Sequence, residues 1–405
     1  MKYDIFFSIC QTEVDGHTPS ERQMFENFFD QVELADQLGF GTAWVAETHL
    51  SCEIQKHGPS PVIPHFKGEI GLNTDICQLA HVIFGRTRHI HVGSAIRNIF
   101  CNGGPIAHAE AIRGFLTMHQ FRQANEPRRL EIGFASGRFE FSNRPYGVLP
   151  RDPVEQVAWP VVRGKALLEA TEIFMRLLAG EKIARTDVTQ HVMTEKDFRT
   201  AEHWQQVRTL AGRDEIALRP FWNFERLGVI PFDAPMHLLG LTIGSHDPLA
   251  QEVANRYLPV GVFNLSITPA HVIEAVHQRM QKVYNKAGGP WRRDLMPRTA
   301  MVFIDATPGL SDEARDAKAR AAAEKACANY WIAMEGTLDR KKVDEAVGNA
   351  LYGSPKTVAA QIRQKFHPED RLMLWFDFNN HDNANVKNGM RAFMEQVVPL
   401  VGEGN

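Results

Sequence analysis

Glu47 and His49 are the sharpest polar pair in the chain. On a strand, alternate residues share a face, so both can point to one side. Histidine titrates near neutrality and can give or take a proton, with the carboxylate orienting it. The same spacing also suits a structural Glu–His hydrogen bond that caps a strand. Two further segments carry anion-binding chemistry. Gly133-Phe-Ala-Ser-Gly-Arg138 offers backbone N–H groups made accessible by glycine, with Ser136 and Arg138 as added donors. It also reads as a plain strand-to-helix turn, and it lacks the Gly-x-Ser-x-Gly of a nucleophile elbow. Gly244-Ser-His-Asp-Pro248 opens a helix, whose free N–H groups and dipole favour phosphate. N-capping by Ser245 or Asp247 is the alternative. Ser245, His246 and Asp247 are consecutive, so their side chains diverge and form no triad.

These segments need elements that bring them together. Tyr3–Ile9 is a β-rich apolar run. Glu21–Leu38 carries an apolar stripe at helical period, with Ser20 placed to cap it and Gly39 to close it. The alternation continues through strands at 41–46, 89–96, 129–134, 236–242, 258–265, 298–305 and 372–378, with helices between. Eight strands, each followed by a helix, predict an α/β fold of the (β/α)8 TIM-barrel kind with insertions. The chain reads as a single barrel domain over 1–405, with insertions at about 50–75, 180–235 and 335–352. In such a barrel the strand C-termini form the active face. Those ends hold Gln11, Glu47, Thr48, His49, Ser94, Ala95, Asn98, Ser136, Gly137, Arg138, Gly244, Ser245, His246, Asn264, Asp377 and Asn379. Two phosphate-type turns at one mouth, with no Walker or G-x-G-x-x-G motif, suggest a phosphorylated cofactor.

Composition narrows the classes. Of 405 residues, 44% are hydrophobic and 23% charged, which excludes a disordered chain. Lys+Arg 45 against Asp+Glu 48 leaves a net charge of −3, so nothing points to nucleic acid. No window reaches the roughly 20 apolar residues of a membrane span, and the N-terminus reads as a strand rather than a signal peptide. Five scattered cysteines without C-x-x-C argue against a disulfide framework and for a cytoplasmic setting. The strand ends offer no clustered His and carboxylate ligands, so no metal is expected.

The chain resembles the bacterial luciferase-like, flavin-dependent monooxygenases almost end to end. Gly39-Phe-Gly-Thr-Ala-Trp-Val-Ala-Glu-Thr-His-Leu50 is similar to the family's second strand and its Glu-x-His motif. His91–Ile96 resembles the third strand, where the family's cis peptide would fall at Ser94–Ala95. Pro105 with Ala109-Glu110, Arg129–Arg138 with Tyr146-Gly147, Gly244–His246, Tyr352–Val358 and Val397-Val-Pro399 follow in family order. The resemblance implies a usually dimeric TIM barrel using reduced FMN (FMNH2) from a separate NAD(P)H:flavin reductase. It implies a monooxygenase that inserts one oxygen of O2 through a flavin C4a-peroxide into a small apolar or aromatic substrate. His49 would handle the proton and Glu47 orient it. Ser136, Gly137, Arg138, Gly244, Ser245 and His246 would hold the phosphate, while Ser94, Ala95 and Asn98 would lie at the ring. Phe66, Phe221, Trp222 and Phe224 are candidate pocket walls. An F420-dependent oxidoreductase on the same fold, or a non-catalytic flavin-binding subunit, is the alternative. Two departures stand out. Thr48 replaces the first histidine of the luciferases' Glu-His-His, which argues against bioluminescence. Ser136 replaces the family's phosphate arginine, with Arg138 two residues later.

Overall fold

The computed structural model describes residues 1–122 and 127–402. The apolar runs become parallel strands buried on both faces, as their near-continuous hydrophobicity demands. In chain order these are β1 (Lys2–Phe7), β2 (Thr42–Val45), β3 (His91–Asn98) and β4 (Leu130–Ala135). Next come β5 (Val192–Met193) and β6 (Ile216–Ala217), a separate antiparallel pair. Then follow β7 (Leu239–Ile243), β8 (Gly261–Val262), β9 (Arg298–Ile304), β10 (Leu351–Gly353) and β11 (Arg371–Trp375). Nine of them form one curled parallel sheet in the order β10-β9-β11-β1-β2-β3-β4-β7-β8. All eight expected strands are in it, and β10 is an unexpected ninth beside the C-terminal part of β9.

The expected strand 258–265 is regular only at Gly261–Val262 because its next residues serve two neighbours. The Phe263 N–H donates to the Ile243 carbonyl at 3.0 Å, on the β7 side. The Asn264 N–H donates to the Pro297 carbonyl at 2.9 Å, and the Thr299 N–H to the Asn264 carbonyl at 3.1 Å. Asn264 thus makes an isolated parallel bridge to Arg298 at the start of β9.

Helices cover the outer face, and their ends follow the expected caps. The Ser20 side chain accepts from the Gln23 N–H, and Gly39 closes that helix at φ 84°. Asp247, rather than Ser245, caps Pro248–Tyr257 by accepting from Leu249. The stretch 335–352 is not irregular, for it holds the helix Arg340–Asn349 and leads into β10. That helix is mostly polar and buries only Val343 and Val347, too weak a stripe to read. In the insertion 180–235, β6 is only the two residues Ile216–Ala217. No helix among the described residues is long and apolar enough to cross a membrane.

Inside the curl, Phe6, Trp44, Ala95, Phe263 and Met373 pack together, and below them sits an ion pair. Arg371 Nε lies 2.5 Å from Asp4 Oδ2, which also accepts the Trp44 indole N–H at 2.7 Å, while Arg371 Nη2 donates to Thr42 Oγ1 at 2.8 Å. Burial opposes the Arg371 charge, and Asp4, then Glu131, more than restore it. Removing one partner of such a pair strands the other. Asp4→Ala should therefore lower unfolding stability by about 3–5 kcal/mol. Denaturant melts would show it, and a loss under about 1 kcal/mol would contradict this role for the pair.

Candidate active site

The C-terminal strand ends gather on one rim, and the expected residues divide into two groups there. β4 and β7 are neighbours, with Phe134 opposite Ile243, so the turns after them lie side by side. The Gly244 N–H donates to the Phe134 carbonyl at 2.8 Å and ties the turns together. Gly137 sits at φ 71°, and a Cβ there would collide with the Asn98 amide. Asn98 is spent inside the fold, donating to Asn143 Oδ1 at 2.6 Å and accepting from the Phe100 N–H at 3.0 Å. It buttresses the turn and does not line the mouth. Asn143 donates in turn to the Ser136 carbonyl at 3.1 Å, and Arg163 donates to the Gly137 carbonyl. Arg138 reaches over the Phe139 ring, and its Nη1 donates to the Tyr330 hydroxyl at 3.2 Å. On the β7 side, Ser245 Oγ accepts from the Asp247 N–H, which leaves its own proton free. His246 Nε2 lies 2.9 Å from Asn264 Oδ1, and Asn264 Nδ2 is buried with no partner.

Ala46 and Ala95 border the inner apolar cluster. A Cβ on Gly244 would run into the Ile96 side chain and meet the Ala135 Cβ at 3.3 Å. The missing Cβ at Gly244 lets the turn after β7 pack directly on Ile96 and Ala135. Ala95 reaches the inner face of the curl, but the Ser94 side chain does not. Ser94 pairs with Val45 and Ile132, whose side chains belong to the core under the helices, and its Oγ is buried without a partner. The non-proline cis bond is Ala95–Ile96, one residue beyond the expected Ser94–Ala95. It falls where the β3–β4 register shifts between Ser94 and Arg97.

Glu47 and His49 do come together, with Oε1 and Nε2 3.3 Å apart. They do not both face the mouth, because regular alternation ends with β2 at Val45. The Glu47 carboxylate is fully buried. It accepts from the Ile76 N–H at 3.1 Å, at the start of the helix Ile76–Arg86, and from Arg97 Nη1 at 3.4 Å. Burial opposes the Arg97 charge, and Glu47 leads the neighbours that restore it. Arg97 Nε donates to His108 Nδ1 at 2.7 Å, and His108 Nε2 donates to the Cys101 carbonyl at 3.0 Å. Burial first, then Arg97, hold the His108 pKa well below the ordinary histidine range, so this ring is neutral. Thr48 anchors the following insertion by donating to the Gly71 carbonyl at 2.8 Å.

A roof lies over the rim. Cys52, Ile63 and Phe66 of the first insertion pack with Phe139, Phe141, Ala333 and Met334. Phe66 is therefore a wall of this roof. Phe221 and Trp222 instead pack at the side of the fold on Trp159 and Phe100, with their N–H groups on Glu169. Phe224 only borders the main core. An aromatic chain, Phe6–Trp375–Phe378–Tyr330, links the inner cluster to the roof helix Asp312–Glu335, with ring centroids 4.7–5.5 Å apart. A cleft of about 410 Å³ opens behind the rim between that helix and Asn383–Ala392, and of the expected strand-end residues Asn379 lines it. Among the described residues no group of three or more His, Cys, Asp or Glu side chains could hold a metal.

Comparison with known proteins agrees with this architecture. A family model described as luciferase-like monooxygenase matches residues 1–368. The chain belongs to that family. It is thus an enzyme of the flavin-dependent monooxygenase class. Among solved structures it is similar to the monooxygenase RslO1 from Streptomyces bottropensis, with 18% identity, a TM-score of 0.66, and coverage of 98% of this chain and 99% of that one. It is also similar to the oxygenating constituent of 3,6-diketocamphane monooxygenase of Pseudomonas putida in complex with FMN (15%, TM-score 0.56, 98% of each chain). An F420-dependent secondary alcohol dehydrogenase matches at 14% identity and TM-score 0.50, over 99% of each chain. At these identities the likeness is one of fold. No curated protein sequence matches the chain.

Sequence reading missed Arg97, His108 and Arg163. Arg97 was hidden because simple alternation from Ala95 sends it inward, and the register shift turns it to the helices. If Glu47 chiefly holds Arg97, Glu47→Gln should cost about 3 kcal/mol of stability. His49→Gln should cost only about 1 kcal/mol. Thermal melts of both variants decide between this and the reverse order.

Proposed function

We propose that the chain is the oxygenating component of a two-component monooxygenase that uses reduced FMN and O2 on a small apolar or aromatic substrate. The supporting observation is the pair of glycine-bearing turns after adjacent strands, tied side by side by the Gly244 N–H to the Phe134 carbonyl. The donors there suit a phosphate dianion, with accessible N–H groups, hydroxyls, Arg138 and His246. The small side chains of Ala46 and Ala95 at the inner cluster suit a planar ring. In this reading Ser136, Gly137, Arg138, Gly244, Ser245 and His246 hold the phosphate, and Ala95 lies under the ring. We also propose that the Asn264–Arg298 bridge closes the sheet into an eight-stranded barrel and that the chain forms one domain. A separate NAD(P)H:flavin reductase as partner, a homodimer and a cytoplasmic setting complete the proposal.

Bound reduced flavin supplies the electrons that activate dioxygen, so that one oxygen atom goes to the substrate and the other leaves as water. The protein's part is to bind, orient and keep water out. The Arg138–Tyr330 contact and the Phe66 roof cover the mouth. His49 holds or moves a proton at its ring, and Glu47 fixes that ring through Nε2. His49→Ala should reduce turnover by roughly 10²–10⁴-fold while leaving flavin affinity nearly unchanged. Wild-type turnover in that variant would remove His49 from the mechanism.

The choice of cofactor is open to direct test. The chain is titrated anaerobically with reduced FMN and, separately, with F420, and the FMN complex is then mixed rapidly with oxygenated buffer. Saturable FMN binding and a transient spectrum unlike reduced or oxidised flavin are expected. Binding of F420 alone would overturn the FMN reading and favour hydride transfer.

A further inference from the structure

The turn after β4 has two successive carbonyls tied to the fold. Asn143 donates to the Ser136 carbonyl at 3.1 Å, and Arg163 Nη2 donates to the Gly137 carbonyl. Both peptides are trans, and in a trans peptide the N–H points opposite to the C=O. Fixing the Ser136 carbonyl therefore sets the direction of the Gly137 N–H. Fixing the Gly137 carbonyl sets that of the Arg138 N–H. Neither N–H meets an acceptor among the described residues, and nor do the Ser245 and His246 N–H groups in the adjacent turn. A cluster of unanswered backbone N–H groups makes an anion-binding concavity. Arg163 stands early in the helix Trp159–Leu178, in the outer layer that follows β4. It draws the Gly137 carbonyl outward, so the Arg138 N–H points inward across the rim. The carbonyl is its firmest partner. Arg163 Nε is buried with no partner, and Nη1 lies 3.9 Å from Glu140 Oε1. That oxygen already accepts the Trp159 indole N–H at 2.8 Å, and Glu140 Oε2 lies 3.8 Å from Arg144. Two guanidinium groups thus share one carboxylate beside the turn, which leaves positive charge there.

We infer that Arg163 is a positioning residue for the cofactor phosphate. It acts through the Gly137 carbonyl, which it holds on the helix side, so that the Arg138 N–H is aimed at the anion before the anion arrives. The inference rests on the proposed function in taking the two turns as the phosphate site. Donors set in advance bind more tightly because less ordering remains to be done on binding. Without Arg163 the Gly137–Arg138 peptide is free to turn, since glycine accepts either sign of φ. Burial pulls the Arg163 pKa down, and Glu140 restores only part of it. A dianion at the turn therefore favours the Arg163 cation as well, and the two support each other.

Anaerobic equilibrium dialysis of the full chain with reduced FMN and with reduced riboflavin tests this in the wild type, Arg163→Met and Arg163→Lys. The wild type should prefer FMN. Arg163→Met should weaken FMN binding about 10–100-fold, the worth of one hydrogen bond to a charged group, and leave riboflavin binding unchanged. Arg163→Lys should recover most of the preference, because an ammonium also donates to a carbonyl. An Arg163→Met variant that keeps the full preference would overturn the inference. So would one that loses affinity for both flavins equally, as general damage to the mouth produces. An Arg163→Lys variant no better than Arg163→Met would overturn it too. A wild-type chain that binds the two flavins equally would overturn the phosphate site of the proposed function, and the inference with it.

Discussion

Glu47 is a fully buried carboxylate answered by three elements at once. Arg97 comes from β3, the Ile76 N–H from the start of a helix, and His49 from the loop after β2. Burying such a pair costs several kcal/mol per ion unless every lone pair is met. Here the positive end of the helix adds to Arg97, and His108 Nδ1 accepts a hydrogen bond from the Arg97 Nε–H. The two inner strands and both following helices are thereby held in one geometry. The orientation of His49 follows from that arrangement, and with it whatever chemistry the ring performs.

The rim divides by charge. Where β4 and β7 end, glycine turns, Arg138 and His246 present donors suited to an anion. On the other side, past β2, stands His49, whose ring is able to hold a proton. Between them lies the inner cluster, in which Ala46 and Ala95 are the small members beside Phe6, Trp44 and Phe263. The aromatic chain from Phe6 to Tyr330 joins this layer to the roof, so the mouth is apolar wherever it is not specifically polar. Such a partition suits a cofactor with a charged tail and a flat reactive ring, and a substrate that meets the ring from the aromatic side.

Much of this was legible in the sequence because its signals are local. Apolar runs between Gly and Pro breaks gave the strands, and Ser20 and Asp247 gave helix starts that the structure keeps. The anion turns stood out by composition alone. What failed depended on register. Period-two alternation placed Glu47 in the mouth, but β2 has already ended, and the carboxylate meets Arg97 instead. The shift between Ser94 and Arg97 coincides with the cis bond at Ala95–Ile96 and sends Arg97 to the helix side, while Ser94 reaches that side by regular pairing. Asn98 looked like a ligand by position and proved a strut, because its amide is used up by Asn143 and Phe100. Long-range partners of this kind leave no trace in local spacing.

The account stands on the two adjacent turns gripping one phosphate. Comparing anaerobic affinities for reduced FMN and reduced riboflavin, which differ only in that phosphate, tests it most directly. The account predicts that FMN binds at least about tenfold more tightly, with the margin shrinking as salt is raised. Equal affinity for the two flavins would contradict it and leave the paired turns as ordinary strand-to-helix connections.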